Sequence, residues 1–177
     1  MNPGTSPWLH PLDSPMGLLE LAAEPGGALV YLGFNRPGHR SRLPRYVAEG
    51  AGLSADRALL EPARRQLEAY FRGELRDFDL PLAPRGTPFQ LRVWAELRNI
   101  PYGRTISYGE LSRRLGDPAL TRAVGAANGA NPISIIIPCH RVIGADGALV
   151  GYGGGLDVKR KLLDLEAPAR MVGLFGE

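Results

Sequence analysis

Residues 131–152, NPISIIIPCHRVIGADGALVGY, decide the fold of this chain, and they contain its only cysteine, Cys139. His140 follows the cysteine directly, and an apolar run over residues 133–137 precedes it. The apolar run predicts a buried strand that leads to the thiol, and the glycines that follow predict a loop that folds back beside it. A thiol becomes a nucleophile only as a thiolate, so the adjacent imidazole is a candidate base. The alternative is a buried structural cysteine next to a surface histidine.

The composition limits the class of protein. The 177 residues are enough for one or two small domains with a buried core. A single cysteine excludes an internal disulfide and a multi-cysteine zinc site and is typical of a reducing cytosol, so we expect no metal and no other cofactor. The chain shows no apolar run of membrane-spanning length and no signal-peptide pattern, so we expect a cytoplasmic protein without a membrane partner. The high Arg, Ala, Gly and Pro content, with only two Lys, suggests a GC-rich genome, and we expect a bacterial, DNA-associated protein.

The net charge of +3 comes from the second half of the chain. The first 85 residues contain 10 basic and 10 acidic residues, whereas residues 86–177 contain 11 basic and 8 acidic residues. This distribution is compatible with a polyanionic partner such as DNA.

The first half is expected to form a small α/β domain over residues 16–85, after a loose leader over residues 1–15 that contains four prolines. Two apolar runs on either side of the Pro-Gly-Gly at residues 25–27 predict a β-hairpin. Residues 35–52 are rich in Arg, Pro and Gly and predict a long loop. An amphipathic helix is predicted from about Pro62.

The second domain, residues 86–177, is expected to begin after an extended linker and to contain two helices with recognisable N-terminal caps. Thr87 and Gln90 form one predicted capping box, and Ser107 and Glu110 form another. Apolar residues at helical spacing follow each cap, so both helices are predicted to be amphipathic.

A third helix is predicted after Asp117 and Pro118, and it is slim because most of its residues are Ala and Gly. The preceding helix ends at Gly116, and the pair fits a helix-turn-helix, whose second helix contacts a DNA groove. The alternative is a small-residue helix that only packs tightly against its neighbours.

The motif PCHRV at residues 138–142 is preceded by NPISIII and followed by GYGGGLDVKRKLLDLE. Together these motifs resemble the active-site signature of the O6-alkylguanine-DNA alkyltransferase family. The resemblance extends from Thr87 to Glu166 and, more weakly, back to Met16. It implies an α+β fold, with a small ribonuclease H-like N-terminal domain and a mostly helical, winged-helix-like C-terminal domain that holds the helix-turn-helix.

The resemblance implies single-turnover DNA repair, in which an alkyl group on O6 of guanine, or on O4 of thymine, moves to Cys139 after the nucleotide is rotated out of the duplex. His140 would take the thiol proton through a water molecule, and Glu166 would orient the imidazole. Asn131 would hold the turn before the cysteine, and Tyr108 would protonate the departing guanine. From the residues alone, the alternatives are a solvated helix-end charge for Glu166, a helix stop for Asn131 and a core side chain for Tyr108.

The resemblance also implies two sets of contact residues. Arg122 would enter the base stack in place of the extruded nucleotide, although one arginine on a helix is usually a solvated charge. The expected DNA-binding residues are Arg122, Tyr108, Gly109, Asp117, Ala123, Gly125, Ala126, Asn128 and Ala145. The expected substrate-pocket residues are Val142, Ser134, Tyr152, Gly153 and Gly154. Ser134 and Gly153 stand where a human family member has proline and serine, which leaves the tolerated adduct size open.

The implied partner is double-stranded DNA that contains alkylated guanine, bound by a monomer without a cofactor. One alternative is a non-catalytic lesion-binding protein of the alkyltransferase-like kind, but such proteins lack the acceptor cysteine that is present here. Another is a Cys-His hydrolase, which would need an oxyanion site and would turn over repeatedly. A helix-turn-helix just before the cysteine has no role in hydrolase chemistry.

Overall fold

An antiparallel sheet forms the N-terminal half of the computed structural model, which describes residues 8–36, 39–40 and 43–167. The sheet has the order β1-β2-β3-β4, and its strands are β1 (His10–Leu12), β2 (Leu19–Ala23), β3 (Leu29–Arg36) and β4 (His39–Arg40). The hairpin predicted around residues 25–27 is confirmed as β2 and β3, in which Leu21 lies opposite Leu32.

The loose leader expected over residues 1–15 is wrong in its second half. His10 pairs with Leu21, so β1 is already an edge strand of the sheet. Leu12 is buried in the core, and this burial explains why the chain is ordered there despite its prolines. Residues 1–7 lie outside the described part of the chain.

The long loop expected over residues 35–52 is also wrong in part. The end of β3, β4 and the short helix α1 (Arg45–Ala48) all fall within this segment. Val47 is fully buried against the outer face of the sheet, and its carbonyl accepts a hydrogen bond of 2.7 Å from Nε1 of Trp8. Leu43, Tyr46 and Leu53 pack beside Val47, so a small apolar cluster folds this Arg- and Pro-rich segment onto the sheet.

Helix α2 (Glu61–Phe71) begins one residue before Pro62, as the sequence predicts. A 3-10 turn (Arg57–Leu60) leads into it, with the carboxylate of Asp56 accepting from the N–H of Ala58. The face that α2 turns to the core carries Ala63, Leu67 and Tyr70. The linker that follows is extended, and it is attached to β3 by a parallel bridge between Leu29 and Leu82.

The C-terminal half is mainly helical, with α3 (Pro88–Leu97), α4 (Tyr108–Arg114), α5 (Thr121–Gly129) and α6 (Leu156–Glu166). The capping box at Thr87 is complete, because Oγ1 of Thr87 accepts from the N–H of Gln90 and the side chain of Gln90 accepts from the N–H of Thr87. Ser107 caps α4 through a bond from the N–H of Glu110.

Helices α4 and α5 pack against each other and form the predicted helix-turn-helix. Gly116 ends the first helix with a φ of +96°, a conformation that favours glycine. The carboxylate of Asp117 then accepts from the N–H of Ala119, but it caps a 3-10 turn (Pro118–Leu120) that leads into α5 rather than α5 itself.

The buried strand expected over residues 133–137 is wrong. The segment is fully buried but consists of turns, with an isolated bridge at Ile133 and a φ of +72° at Ile135. The side chain of Asn131 spans the turns, with Oδ1 accepting from the N–H of Ile133 at 3.0 Å and Nδ2 donating to the carbonyl of Ile137 at 2.8 Å. Side-chain bonds of this kind replace ladder bonds, so an apolar run alone cannot distinguish a buried turn from a buried strand.

One hydrophobic core joins the two halves. It runs from Leu19 and Phe34 of the sheet, through Leu67 of α2, to Val93 of α3 and Leu162 of α6. The architecture is α+β, as the family resemblance implies. In the described part of the chain, no helix is long and apolar enough to cross a membrane, and no three His, Cys, Asp or Glu side chains form a metal-binding group.

Candidate active site

The cysteine lies where the buried turns end. Cys139 opens a 3-10 turn (Cys139–Arg141), and short strand β6 (Val142–Ile143) follows and pairs in parallel with β5 (Ile106–Ser107). The thiol residue is 6% exposed. Burial raises the pKa of Cys139 more than a hydrogen bond from Asn131 and the charge of Lys159 lower it, so the free protein holds a thiol.

His140 and Glu166 form a buried pair. Nε2 of His140 lies 2.8 Å from Oε1 of Glu166, and both side chains are buried. Burial lowers the pKa of His140 despite the neighbouring carboxylate, so the ring is neutral. Because a carboxylate only accepts, Nε2 carries the ring proton and Nδ1 is left as an acceptor. Nδ1 is buried and has no hydrogen-bond partner among the described residues.

Glu166 is held as a carboxylate by donors from several elements. Burial would raise its pKa, but hydrogen bonds from His140 and Arg141 outweigh burial and hold the pKa well below its usual range. Arg141 donates from Nε to Oε2 at 2.8 Å and from Nη2 to Oε1 at 3.0 Å. Tyr70 of α2 adds a bond of 2.7 Å to Oε1, and the N–H of Gly103 adds one of 3.3 Å to Oε2.

Lys159 is a buried cation that sequence reasoning missed. Its Nζ donates to the carbonyls of Val142 at 2.7 Å and Val150 at 2.8 Å, and burial lowers its pKa. The available signal was its position on α6, seven residues before Glu166, which places both on one helix face. Arg141 was also missed, although it is part of the quoted PCHRV motif, and Tyr70 has no local signal because 96 residues separate it from Glu166.

A cavity of about 490 Å³ opens onto Cys139. Of the expected pocket residues, Ser134, Tyr152 and Gly153 line it, together with Asn128 and Asn131. The N-terminal segment around Arg45 contributes to the far wall, which the sequence did not indicate.

Two expected pocket residues do not line this cavity. Val142 is fully buried, and its carbonyl accepts a hydrogen bond from Lys159. Gly154 packs against Phe34, and a Cβ at Gly154 would lie 2.8 Å from that ring. The carbonyl of Gly154 accepts from Arg36 of β3 at 2.7 Å, so the glycine serves close packing between the sheet and the return loop.

Tyr108 lies in a second, adjoining cavity of about 480 Å³. The two cavities share Asn128 and the loop from Gly151 to Gly153 as a common wall. The hydroxyl of Tyr108 donates to the carbonyl of Val150 at a long 3.4 Å. Tyr108 and Cys139 therefore line adjoining cavities that share these residues.

Most of the residues expected to bind DNA are on the surface of the helix-turn-helix. Those that are exposed are Arg122, Asp117, Ala123 and Ala126, and those that are half-buried are Tyr108, Gly109 and Gly125. Ala145 is also exposed, but it lies in the loop after β6. Asn128 differs, because it is buried and its Nδ2 lies 3.5 Å from the carbonyl of Cys139. Asn128 is thus part of the wall behind the thiol and not of an exposed helix face.

Comparison with known proteins agrees with this geometry. Residues 88–168 match the DNA-binding domain of 6-O-methylguanine DNA methyltransferase, and residues 10–84 match its ribonuclease-like domain. The methylated-DNA–protein-cysteine methyltransferase of Methanosarcina acetivorans is 49% identical over 87% of this chain and 94% of the relative, and that of Mycobacterium tuberculosis is 50% identical over 89% and 93%. Mycobacterium tuberculosis OGT in complex with DNA superposes with a TM-score of 0.79 at 49% identity, over 91% of this chain and 95% of that one. The chain belongs to the 6-O-methylguanine DNA methyltransferase family.

Proposed function

We propose that this protein repairs DNA by moving an alkyl group from O6 of guanine onto Sγ of Cys139, once per molecule. The observation that carries the proposal is the buried series of Cys139, His140 and Glu166 beside a cavity of about 490 Å³. The series provides a nucleophile, an adjacent base and a group that orients the base. The names of the relatives, which state methylated DNA and a protein cysteine, support the substrate and the acceptor.

The thiol must lose its proton before it attacks. Nδ1 of His140 is the acceptor that lacks a partner, and we assign the proton to it through a bridging water. The thiolate then attacks the alkyl carbon in line, so that the S–C bond forms while the C–O bond breaks and its electron pair leaves with the guanine. The carboxylate of Glu166 stabilises the imidazolium that results.

The departing guanine takes up a proton, and we assign the donor role to Tyr108. Burial raises the pKa of Tyr108, so its hydroxyl remains protonated and able to donate. Its bond to the carbonyl of Val150 is long, at 3.4 Å, so a bound nucleotide can replace it at low cost.

The reaction consumes the protein because the alkylated cysteine is a thioether, which has no good leaving group. A buried thiol also cannot reach a base inside a duplex, so the nucleotide has to be rotated out of the stack at a cost of a few kcal/mol. We assign the support of the extruded state to Arg122, which is exposed on α5 between small residues. O4-alkylthymine presents the same kind of carbon and is a second expected substrate.

We further propose that the protein acts as a monomer in a reducing cytosol. Every member of the series comes from one chain, so the chemistry needs no second copy. The acceptor is a free cysteine, and a reducing compartment keeps it available for transfer.

The test is intact mass after incubation with a duplex that contains O6-methylguanine. One added methyl group per protein, located on the peptide with Cys139, is expected. Cys139→Ser should bind the same duplex and show no added mass. A wild-type protein that binds the lesion with no added mass would instead be a lesion-binding protein, and repeated release of a methylated product would contradict single turnover.

A further inference from the structure

The carboxylate that orients His140 is also bonded to the N-terminal half of the molecule. The hydroxyl of Tyr70, in the last turns of α2, donates to Oε1 of Glu166 at 2.7 Å. This is the same oxygen that faces Nε2 of His140 at 2.8 Å. Tyr70 is fully buried, so the bond is shielded from water.

The surroundings of Tyr70 fix where its hydroxyl points. Its ring is packed edge-on against Phe71 at 5.5 Å and Tyr102 at 6.2 Å, and tilted against Phe78 at 5.3 Å. Burial, followed by the charge of Glu166, raises the pKa of Tyr70 far above its usual value. The phenol is therefore always a donor at the pH of the cell, and it cannot exchange roles with the carboxylate.

We infer that Tyr70 is a positioning residue of the alkyl-transfer site, which sets how strongly Glu166 stabilises the imidazolium form of His140. The inference rests on the proposed function, since it concerns the same series of Cys139, His140 and Glu166. It goes beyond that function in assigning part of the reactivity to the N-terminal half.

The physical argument concerns the charge on one oxygen. A phenol that donates to Oε1 draws negative charge away from the side of Glu166 that faces the imidazole. Removing the hydroxyl leaves more charge on that side, and the imidazolium form of His140 becomes more stable. Arg141 and Gly103 still hold Glu166 in place, so the change is electrostatic and not a loss of the carboxylate's position.

Other charged and titratable groups near His140 are unchanged by this removal. They are Lys159 on α6, Arg141 and Cys139 beside His140 in the chain, and Tyr152, whose ring centroid lies 6.5 Å away. Transfer needs the neutral imidazole. When the rate constant of transfer is plotted against pH, its fall at low pH (the acid limb) therefore reports protonation of His140. A more stable imidazolium moves that limb to higher pH.

The experiment compares Tyr70→Phe with Tyr102→Phe in the full chain. Tyr102 belongs to the same aromatic cluster, but its hydroxyl donates to the backbone carbonyl of Leu165 and not to Glu166. The rate constant of methyl transfer from O6-methylguanine duplex is measured by mass in single turnover, at a series of pH values and DNA concentrations. In Tyr70→Phe the acid limb should move up by roughly half a pH unit, equal to about a threefold slower reaction at a fixed pH on that limb.

The affinity for DNA should stay unchanged in both variants, and the acid limb of Tyr102→Phe should coincide with that of the wild type. Equal profiles for Tyr70→Phe and wild type, or equal shifts in both variants, would overturn the role of Tyr70 and leave the proposed function standing. A wild type that transfers no methyl group would overturn the proposed function itself. If Tyr70→Phe does not fold, 3-fluorotyrosine at position 70 tests the same point, because a more acidic phenol should move the acid limb to lower pH, and an unmoved limb would contradict the inference.

Discussion

The backbone N–H of Ser134 donates a hydrogen bond of 2.8 Å to the carbonyl of Leu32. The N–H of Leu32 in turn donates to the carbonyl of Pro132 at 2.9 Å, so the turns before Cys139 are attached to β3 of the N-terminal sheet. The N-terminal half therefore holds the backbone of the reactive segment, while its Tyr70 bonds the carboxylate behind His140. We expect substitutions where the N-terminal half contacts residues 132–134 and Glu166 to alter the rate of alkyl transfer as well as the unfolding free energy.

Glu166→Gln should slow alkyl transfer by tenfold or more, an order-of-magnitude estimate for loss of an orienting charge, and should also destabilise the fold. The neutral amide leaves Arg141 buried without its counter-charge, which costs about 3–5 kcal/mol of unfolding free energy. Denaturant unfolding and single-turnover transfer measure the two effects. Asp164→Asn is the control, because Asp164 is an exposed carboxylate on the same helix.

Glu166→Gln also predicts how the unfolding free energy depends on pH in the acid range. The pKa of Glu166 is lower in the folded protein than in the unfolded chain, so its carboxylate stabilises the fold above the unfolded value, and this contribution is lost as the pH falls through the folded value. The difference in unfolding free energy between wild type and Glu166→Gln should therefore become smaller as the pH is lowered. A gap that stays constant over the acid range would show that the carboxylate is not the source of the stability.

Arg122→Ala should slow repair of O6-methylguanine in duplex DNA by tenfold or more, an estimate that corresponds to losing part of the few kcal/mol needed for extrusion. Reaction with free O6-benzylguanine should change little, because that substrate needs no extrusion. Arg65→Ala is the control, since Arg65 is exposed on α2 and paired with Glu61. Equal slowing of both substrates in Arg122→Ala would remove it from the extrusion step.

Lys159→Met should lower the unfolding free energy by about 1–3 kcal/mol, because the buried carbonyl of Val142 loses the bond from Nζ and the carbonyl of Val150 keeps only the long bond of 3.4 Å from Tyr108. Thiol alkylation should also move to higher pH, since the charge of Lys159 lowers the pKa of Cys139. Denaturant melts and the pH dependence of alkylation check both. Lys161→Met, at an exposed position of α6, should match the wild type in both measurements.

Asn131→Ala should destabilise the turns before the cysteine by about 1–3 kcal/mol, because the N–H of Ile133 loses its acceptor and the carbonyl of Ile137 keeps only the bond from the N–H of Cys139. The same change removes a hydrogen bond that lowers the pKa of Cys139, so alkylation should again move to higher pH. Asn99→Ala serves as the control, because Asn99 is exposed and bonds only Glu96 within its own turn. A stable Asn131→Ala protein with unchanged alkylation would show that the backbone holds the turns without this side chain.

Features that depend on neighbouring residues were predictable. The caps at Thr87 and Ser107, the hairpin and the helix near Pro62 all follow from local hydrogen bonding and periodicity, and all are present. The apolar run at residues 133–137 was misread, because burial on all sides has the same sequence pattern in a strand and in a set of turns.

By itself, the sequence determined the capped helices, the helix-turn-helix and the single cysteine that can act as acceptor, because caps, turn residues and a lone thiol are readable from a few neighbouring positions. The α+β class followed from the resemblance to a known family. Only the tertiary structure decided which side chains surround Cys139, His140 and Glu166. Tyr70 donates to Glu166 from α2, 96 residues earlier in the chain, and Lys159 of α6 donates to the carbonyl of Val142. Arg141 is buried and donates to Glu166. Their charges and hydroxyls are stabilised by partners that folding brings together, and the spacing of residues along the chain does not record such contacts.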